Sequence, residues 1–214
     1  MCLVYRHSGI WAHELRIALE RQRTKIPEST ALKLKYDESV RGSPMSSITS
    51  ISVSEYLRSS YSPDRDFVDG RVEERNVGKH HHAAVQAALI LWFGQRQNEW
   101  NIEVLPEQRM RISATKFRVP DVCLVSLDQP VEQILTKPPL ACIEILSPED
   151  TLRRIQERIN DYREFGVANI WVLDPATQRG YDCRLSGFLD ATEFAIPNTP
   201  IRLVLSELFA KIRR

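Results

Sequence analysis

Apolar and polar positions alternate in two different rhythms along this chain, and the change of rhythm marks the elements. From Ser52 onward the pattern is regular. Ser52–Leu57 predicts a short helix, capped by Ser52 or Ser54. Arg65–Asn76 predicts a hairpin: Phe67, Val68 and Val72 are the strand residues, and Asp69-Gly70 is the turn that tolerates positive φ. His81–Gln95 predicts a strongly amphipathic helix, because Val85, Leu89, Trp92 and Phe93 recur at helical spacing.

Short apolar runs follow. Ile102–Leu105, Arg109–Ile112 and Val119–Ser126 read as strands, and the Val-Cys-Leu-Val centre of the last implies burial on both faces. Leu140–Leu146 reads as a second such strand after the Pro138-Pro139 break. A helix is expected next, with Ser147 as N-cap, Pro148 at its first position and Asp150 at the capping-box position. It should run to Phe165 and end at Gly166. Strands at Asn169–Leu173 and Gly180–Arg184 and a helix at Ser206–Ile212 complete the reading. A strand-rich middle followed by strand–helix–strand predicts an α/β fold: a mixed β-sheet flanked by helices.

The first residues break this regularity. Met1–Pro44 scatter basic residues without a period, apart from a helical stretch at His13–Arg23. Gly42, Ser43 and Pro44 form a breaker cluster. The expectation is an N-terminal extension over 1–44, either poorly ordered or not natively translated from Met1, and one domain over 45–214.

Composition narrows the classes. Hydrophobic residues are 43% and charged residues 27%, as in soluble globular proteins. The longest apolar run, around Ala83–Phe93, is interrupted by Gln86 and falls short of the roughly 18 residues of a membrane helix. The 29 Lys and Arg nearly balance the 28 Asp and Glu, so a nucleic-acid partner would have to meet a local basic patch. The 4 cysteines form no C-x-x-C pair and read as reduced thiols, and no secretory h-region follows Met1; both imply the cytoplasm.

Candidate chemistry sits on the two apolar strands. Asp121 opens one, and Glu144 lies inside the other with no second charge beside it. Such a carboxylate needs a cation, a hydrogen-bond network or a metal. If the strands are neighbours, both carboxylates converge on one divalent ion. Mg²⁺ accepts one or two carboxylates and keeps several waters, and the Ile145 carbonyl could add a ligand. A structural ion pair remains the alternative. Arg158 falls within the apolar arc of Leu152, Ile155, Ile159, Tyr162 and Phe165, so it should point to the sheet near Glu144, as a functional group or as a structural partner. His82 shares the inward face of its helix with Val85 and Leu89 and is a donor or base for a central cleft, or else a cap. His80, His81 and His82 are adjacent, and adjacent helical residues cannot chelate one ion together. Asp69, Glu73 and Glu107 are solvated charges or extra acidic ligands. Arg109, Arg111, Lys116, Arg118, Arg153 and Arg154 are a solvated face or a phosphate-contacting patch. Cys123 and Cys142 read as small core residues. No Gly-rich phosphate loop, nucleophile elbow or zinc spacing is present.

Several segments resemble the Uma-two family of restriction-endonuclease-like proteins, within the PD-(D/E)xK nuclease superfamily. They are Asp66-Phe67-Val68-Asp69-Gly70, Glu74-Arg75-Asn76-Val77-Gly78, His82-Ala83-Ala84-Val85 and Arg118-Val119-Pro120-Asp121-Val122. Ile143-Glu144-Ile145-Leu146-Ser147-Pro148, Asp161-Tyr162 to Gly166-Val167, and Ile170-Trp171-Val172-Leu173-Asp174-Pro175 complete the set. The resemblance implies a restriction-endonuclease-like core and metal-dependent hydrolysis of DNA phosphodiesters, with Asp121 and Glu144 holding Mg²⁺ or Mn²⁺. It also implies a homodimer if both strands are cut. The superfamily's lysine two residues after the acidic one is Leu146 here. The family's lysine on the next helix, four before the tyrosine, is Arg158. An arginine stabilises charge but is a poor proton shuttle. The other expectation is therefore a catalytically lapsed nucleic-acid-binding domain, or a structural or interaction domain, of the same fold.

Overall fold

The computed structural model describes residues 50–75 and 79–213. The expected extension over 1–44, its helix at His13–Arg23 and Met45 lie outside the described residues.

The described residues open with α1 (Val53–Arg58), whose N-cap Ser52 accepts a bond from the Glu55 N–H. The hairpin β1 (Asp66–Val68) and β2 (Arg71–Glu73) turns at Asp69 and Gly70, which both have positive φ, 48° and 87°. Next come α2 (His80–Gly94), α3 (Gln97–Trp100), β3 (Ile102–Pro106), β4 (Met110–Arg111) and β5 (Lys116–Arg118). The central strands are β6 (Val122–Ser126) and β7 (Ala141–Ile145). After them run α4 (Leu152–Phe165), β8 (Asn169–Asp174), β9 (Arg179–Arg184), β10 (Gly187–Ala191), β11 (Glu193–Ala195), β12 (Arg202–Val204) and α5 (Leu205–Ala210).

Six strands form the main sheet in the order β10-β9-β8-β7-β6-β3. The β7–β8 pairing is parallel, because α4 carries the chain back between them, and the other pairings are antiparallel. A second sheet runs β2-β1-β5-β4, and β11 pairs with β12. The period of two assigns the faces of the main sheet. Val122, Leu124, Ala141, Ile143, Trp171 and Leu173 pack with Val85, Leu89, Trp92 and Phe93 of α2. Cys123, Val125, Cys142, Ile170 and Val172 pack with Ile155, Ile159 and Tyr162 of α4.

Three expectations need correction. The helix after β7 starts at Leu152 with Thr151 as N-cap, not at Ser147. Ser147 and Asp150 instead close a turn on each other: the Ser147 N–H donates to Asp150 Oδ2 at 2.8 Å, and the Asp150 N–H to the Ser147 carbonyl at 2.9 Å. The strong amphipathicity expected of α2 is absent. Its buried side does follow the helical period, but its outer side carries Ala83, Ala87 and Leu91 rather than charges. The strand expected at Val119–Ser126 begins at Val122, and the residues before it lead up from β5.

Candidate active site at the end of the central strands

The site grows from the register of β6 and β7. Val122 pairs with Ile143 and Cys123 with Cys142. One step outward stand Asp121 and Glu144, which share the α4 side of the sheet with Cys123 and Cys142 by strand alternation. Both are buried, at 4% and 3% exposure. The neighbouring strands therefore bring together the two carboxylates singled out in the sequence.

Each is met by cations. Arg158, one turn before Tyr162 on α4, donates from Nη2 to Glu144 Oε1 at 3.0 Å and to the Val119 carbonyl at 2.8 Å. Its Nη1 stands 3.6 Å from Asp66 Oδ2. Tyr162 Oη also donates to Glu144 Oε1. On the other side, Arg75 Nη2 donates to Asp121 Oδ1. Asp121 Oδ2 accepts the Ile145 N–H at 2.8 Å and faces His82 Nε2 at 3.3 Å. Ile145 thus meets Asp121 through its N–H.

These contacts set the charge states. Burial pushes the Glu144 carboxyl up, Arg158 opposes it and the Asp121 charge adds to it, leaving it near 7. Burial also works to raise Asp121, but His82, Arg75 and Arg158 together outweigh it and hold Asp121 at about 2. Burial opposes charge on His82, yet its hydrogen bond to Asp121 and that carboxylate's charge raise it above its ordinary range. His82 thus faces Asp121 Oδ2 as a hydrogen-bond donor. His80 and His81 are exposed. The Cys123 and Cys142 thiols lie in the core with no exposure, and burial pushes Cys123 up to about 12.

Further charged side chains lie beside these. Asp66 Oδ1 accepts the Val119 N–H at 2.8 Å, and Asp66 Oδ2 takes Arg118 Nη1 at 2.9 Å. Arg118 also reaches Glu73 at 3.0 Å and Asp161 at 2.7 Å, and Lys116 reaches Asp161 at 2.7 Å. Arg118 is 4% exposed, so it belongs to the interior and not to a solvated basic face. Arg109 is likewise committed to Asp64, and Arg111 lies over the Phe117 ring. Asp69 accepts from Thr115. Of the basic residues singled out in the sequence, Arg118, Arg153 and Arg154 line a cleft of about 500 Å³ with Asp66, Glu73, Glu74, Glu157 and Arg158.

Sequence reasoning missed Asp66, Arg75 and Asp161 as site members. Asp66 alternates with the core residue Phe67, a pattern that reads as the solvent face of its strand. Arg75 sits in a Glu-Glu-Arg run that reads as solvated, and only the fold turns it inward.

The sequence matches, over residues 53–206, a family described as "Uma2: Putative restriction endonuclease". The chain belongs to the Uma2 family. Among solved structures it is similar to a "putative nuclease belonging to DUF820" from Anabaena variabilis ATCC 29413. That likeness has a TM-score of 0.63 at 19% identity and covers 75% of this chain and 98% of that one. It shows a shared restriction-endonuclease-like fold. A DrdV–DNA complex is similar at a TM-score of 0.39 and 16% identity, over 62% of this chain and 11% of that one. No curated protein matches the sequence. Among the described residues, no helix is long and apolar enough to cross a membrane. Uma2 membership points to a nuclease.

Proposed function

We propose that this Uma2 protein is a divalent-metal-dependent endonuclease acting on DNA phosphodiester bonds. The observation that carries this reading is the placement of Asp121 and Glu144 one step beyond the β6–β7 register, with Arg158 on Glu144. Among the described residues, no group of three or more His, Cys, Asp or Glu side chains is placed to hold an ion. Two carboxylates remain, a donor set that fits Mg²⁺ or Mn²⁺ completed by water and substrate phosphate. Asp121 draws the Arg75 guanidinium to Oδ1 and the His82 ring to Oδ2, as a site of fixed negative charge should. When bound, the ion would supply an activated water and a counter-charge for the phosphate.

The chain's own residues have separate tasks. Ile145 N–H and His82 fix the orientation of Asp121. Tyr162 fixes Glu144. Arg158 sits where its fixed charge meets negative charge developing on phosphate, and it does not move the proton. Arg153 and Arg154 at the cleft offer cationic contacts to the DNA backbone. A homodimer would let one assembly cut both strands.

Arg158 also favours a second reading, a nucleic-acid-binding domain that has lost catalysis, because a permanently protonated group replaces the expected lysine. Cleavage of supercoiled plasmid with Mg²⁺ or Mn²⁺ separates the two. Metal-dependent nicking that disappears in both Asp121→Ala and Glu144→Gln supports the nuclease. DNA binding without any nicking would leave the second reading.

A further inference from the structure

We propose that Arg75 is the resident counter-cation of Asp121, that a divalent ion must displace it, and that Glu107 is the berth its guanidinium moves to. The inference rests on the metal-dependent reading above. It names a residue that would control access of the ion to Asp121.

The Arg75 side chain is only 6% exposed and, among the described residues, hydrogen-bonds Asp121 through Nη2 alone. Its Nε and Nη1 are buried without a hydrogen-bond partner. Buried donors left unmade are costly, so this guanidinium is poorly satisfied where it stands. Arg158 also leaves its Nε without a partner, but its two other nitrogens are spread over Glu144, the Val119 carbonyl and Asp66.

Glu107 is the nearest remedy. Its Oε1 lies 3.7 Å from Arg75 Nη1, too far for a hydrogen bond and close enough for a short swing to make one. Glu107 holds a positive φ of 50°, unusual for a residue with a side chain. Its N–H donates to the Asp121 carbonyl at 3.3 Å. A strained residue is thus tied to the backbone of Asp121, with its carboxylate beside Arg75. Its side chain is 39% exposed, so it stands at the rim of the site and not inside it. A divalent ion and a guanidinium cannot share Asp121 Oδ1, since both are positive and need the same lone pairs. Moving to Glu107 would satisfy Arg75 and open that oxygen.

The test is calorimetric titration of the full chain with Mn²⁺ and then Mg²⁺, without DNA. Arg75→Met should bind at least about tenfold more tightly than wild type, the scale of a close charge pair. Glu107→Gln should weaken binding while Arg75 is present and have no effect in the Arg75→Met background. If Arg75→Met does not fold, Arg75→Gln keeps a donor for Asp121 without the charge and carries the same expectation. Metal binding by wild type that the Arg75 variants leave unchanged or weaken would overturn the inference and leave the metal reading intact. An equal loss from Glu107→Gln in both backgrounds would make Glu107 a ligand rather than a berth and would also overturn it. No binding by wild type or by any variant would overturn both readings.

Discussion

Arg158 Nη2 lies 3.0 Å from Glu144 Oε1 and 2.8 Å from the Val119 carbonyl, so one nitrogen ties α4 both to β7 and to the lead into β6. The arginine is therefore anchored in the position where the resemblance expects a lysine. Arg158→Lys keeps the charge but loses the second nitrogen that faces Asp66. Plasmid nicking in Mg²⁺ should rise in this variant, because a lysine here can release and regain a proton. Its stability should fall by about 1–3 kcal/mol for the lost charged bonds. Unchanged or lower nicking with an intact fold would mean that the arginine is structural or already suited to its task.

Asp121 is the counter-charge for the buried Arg75 guanidinium and the acceptor for His82. Asp121→Ala leaves Arg75 and His82 facing an apolar methyl, and it should cost about 3–5 kcal/mol in urea denaturation. It should also abolish any rise in thermal midpoint on adding Mn²⁺. A variant as stable as wild type that still responds to Mn²⁺ would remove Asp121 from the site.

Much of this site was legible in the sequence, for a physical reason. Charges inside apolar strands are costly, so Asp121 and Glu144 stood out, and helical periodicity turned Arg158 toward them. The strand–helix–strand unit followed from its apolar runs and from Gly166, whose φ of 99° ends α4 as expected. What stayed hidden depends on long-range pairing. β5 is a Lys-Phe-Arg triplet whose two charges read as surface until Asp66, Glu73 and Asp161 are brought around them. β11 and β12 are triplets with one apolar centre each, and they show as strands only because Phe194 and Leu203 pair in the core. Asp150 matched a capping-box position, but its carboxylate closed on Ser147 and left the N-cap to Thr151.

The pH dependence of stability should carry the mark of Glu144. Its folded carboxyl titrates near 7, against an ordinary value of 4.5. The folded state therefore holds a proton that the unfolded chain has released, and stability falls as pH rises from about 4.5 to 7. His82 is raised as well, so its contribution is present at low pH and is lost as pH rises through its folded value. Glu144→Gln should flatten this fall: measured in EDTA, its advantage over wild type should be larger at pH 8 than at pH 5. Parallel stability curves for the two proteins would show that Glu144 is ionised throughout.

Arg118 holds three elements to β5. It bonds Asp66 on β1, Glu73 on β2 and Asp161 on α4, and it is nearly excluded from water. Arg118→Met takes the shared cation from two buried carboxylates, leaving Asp66 the Val119 N–H and Asp161 the Lys116 ammonium, and should cost about 3 kcal/mol. Asp161→Asn in the same chain removes one of those charges, so the double variant should recover part of that loss in urea denaturation. The cost comes from the under-compensated acids and not from the missing guanidinium as such, because replacing a whole buried ion pair by neutral groups is often close to neutral. A double variant that loses the full sum of both single losses would show that Arg118 and Asp161 stabilise the fold independently.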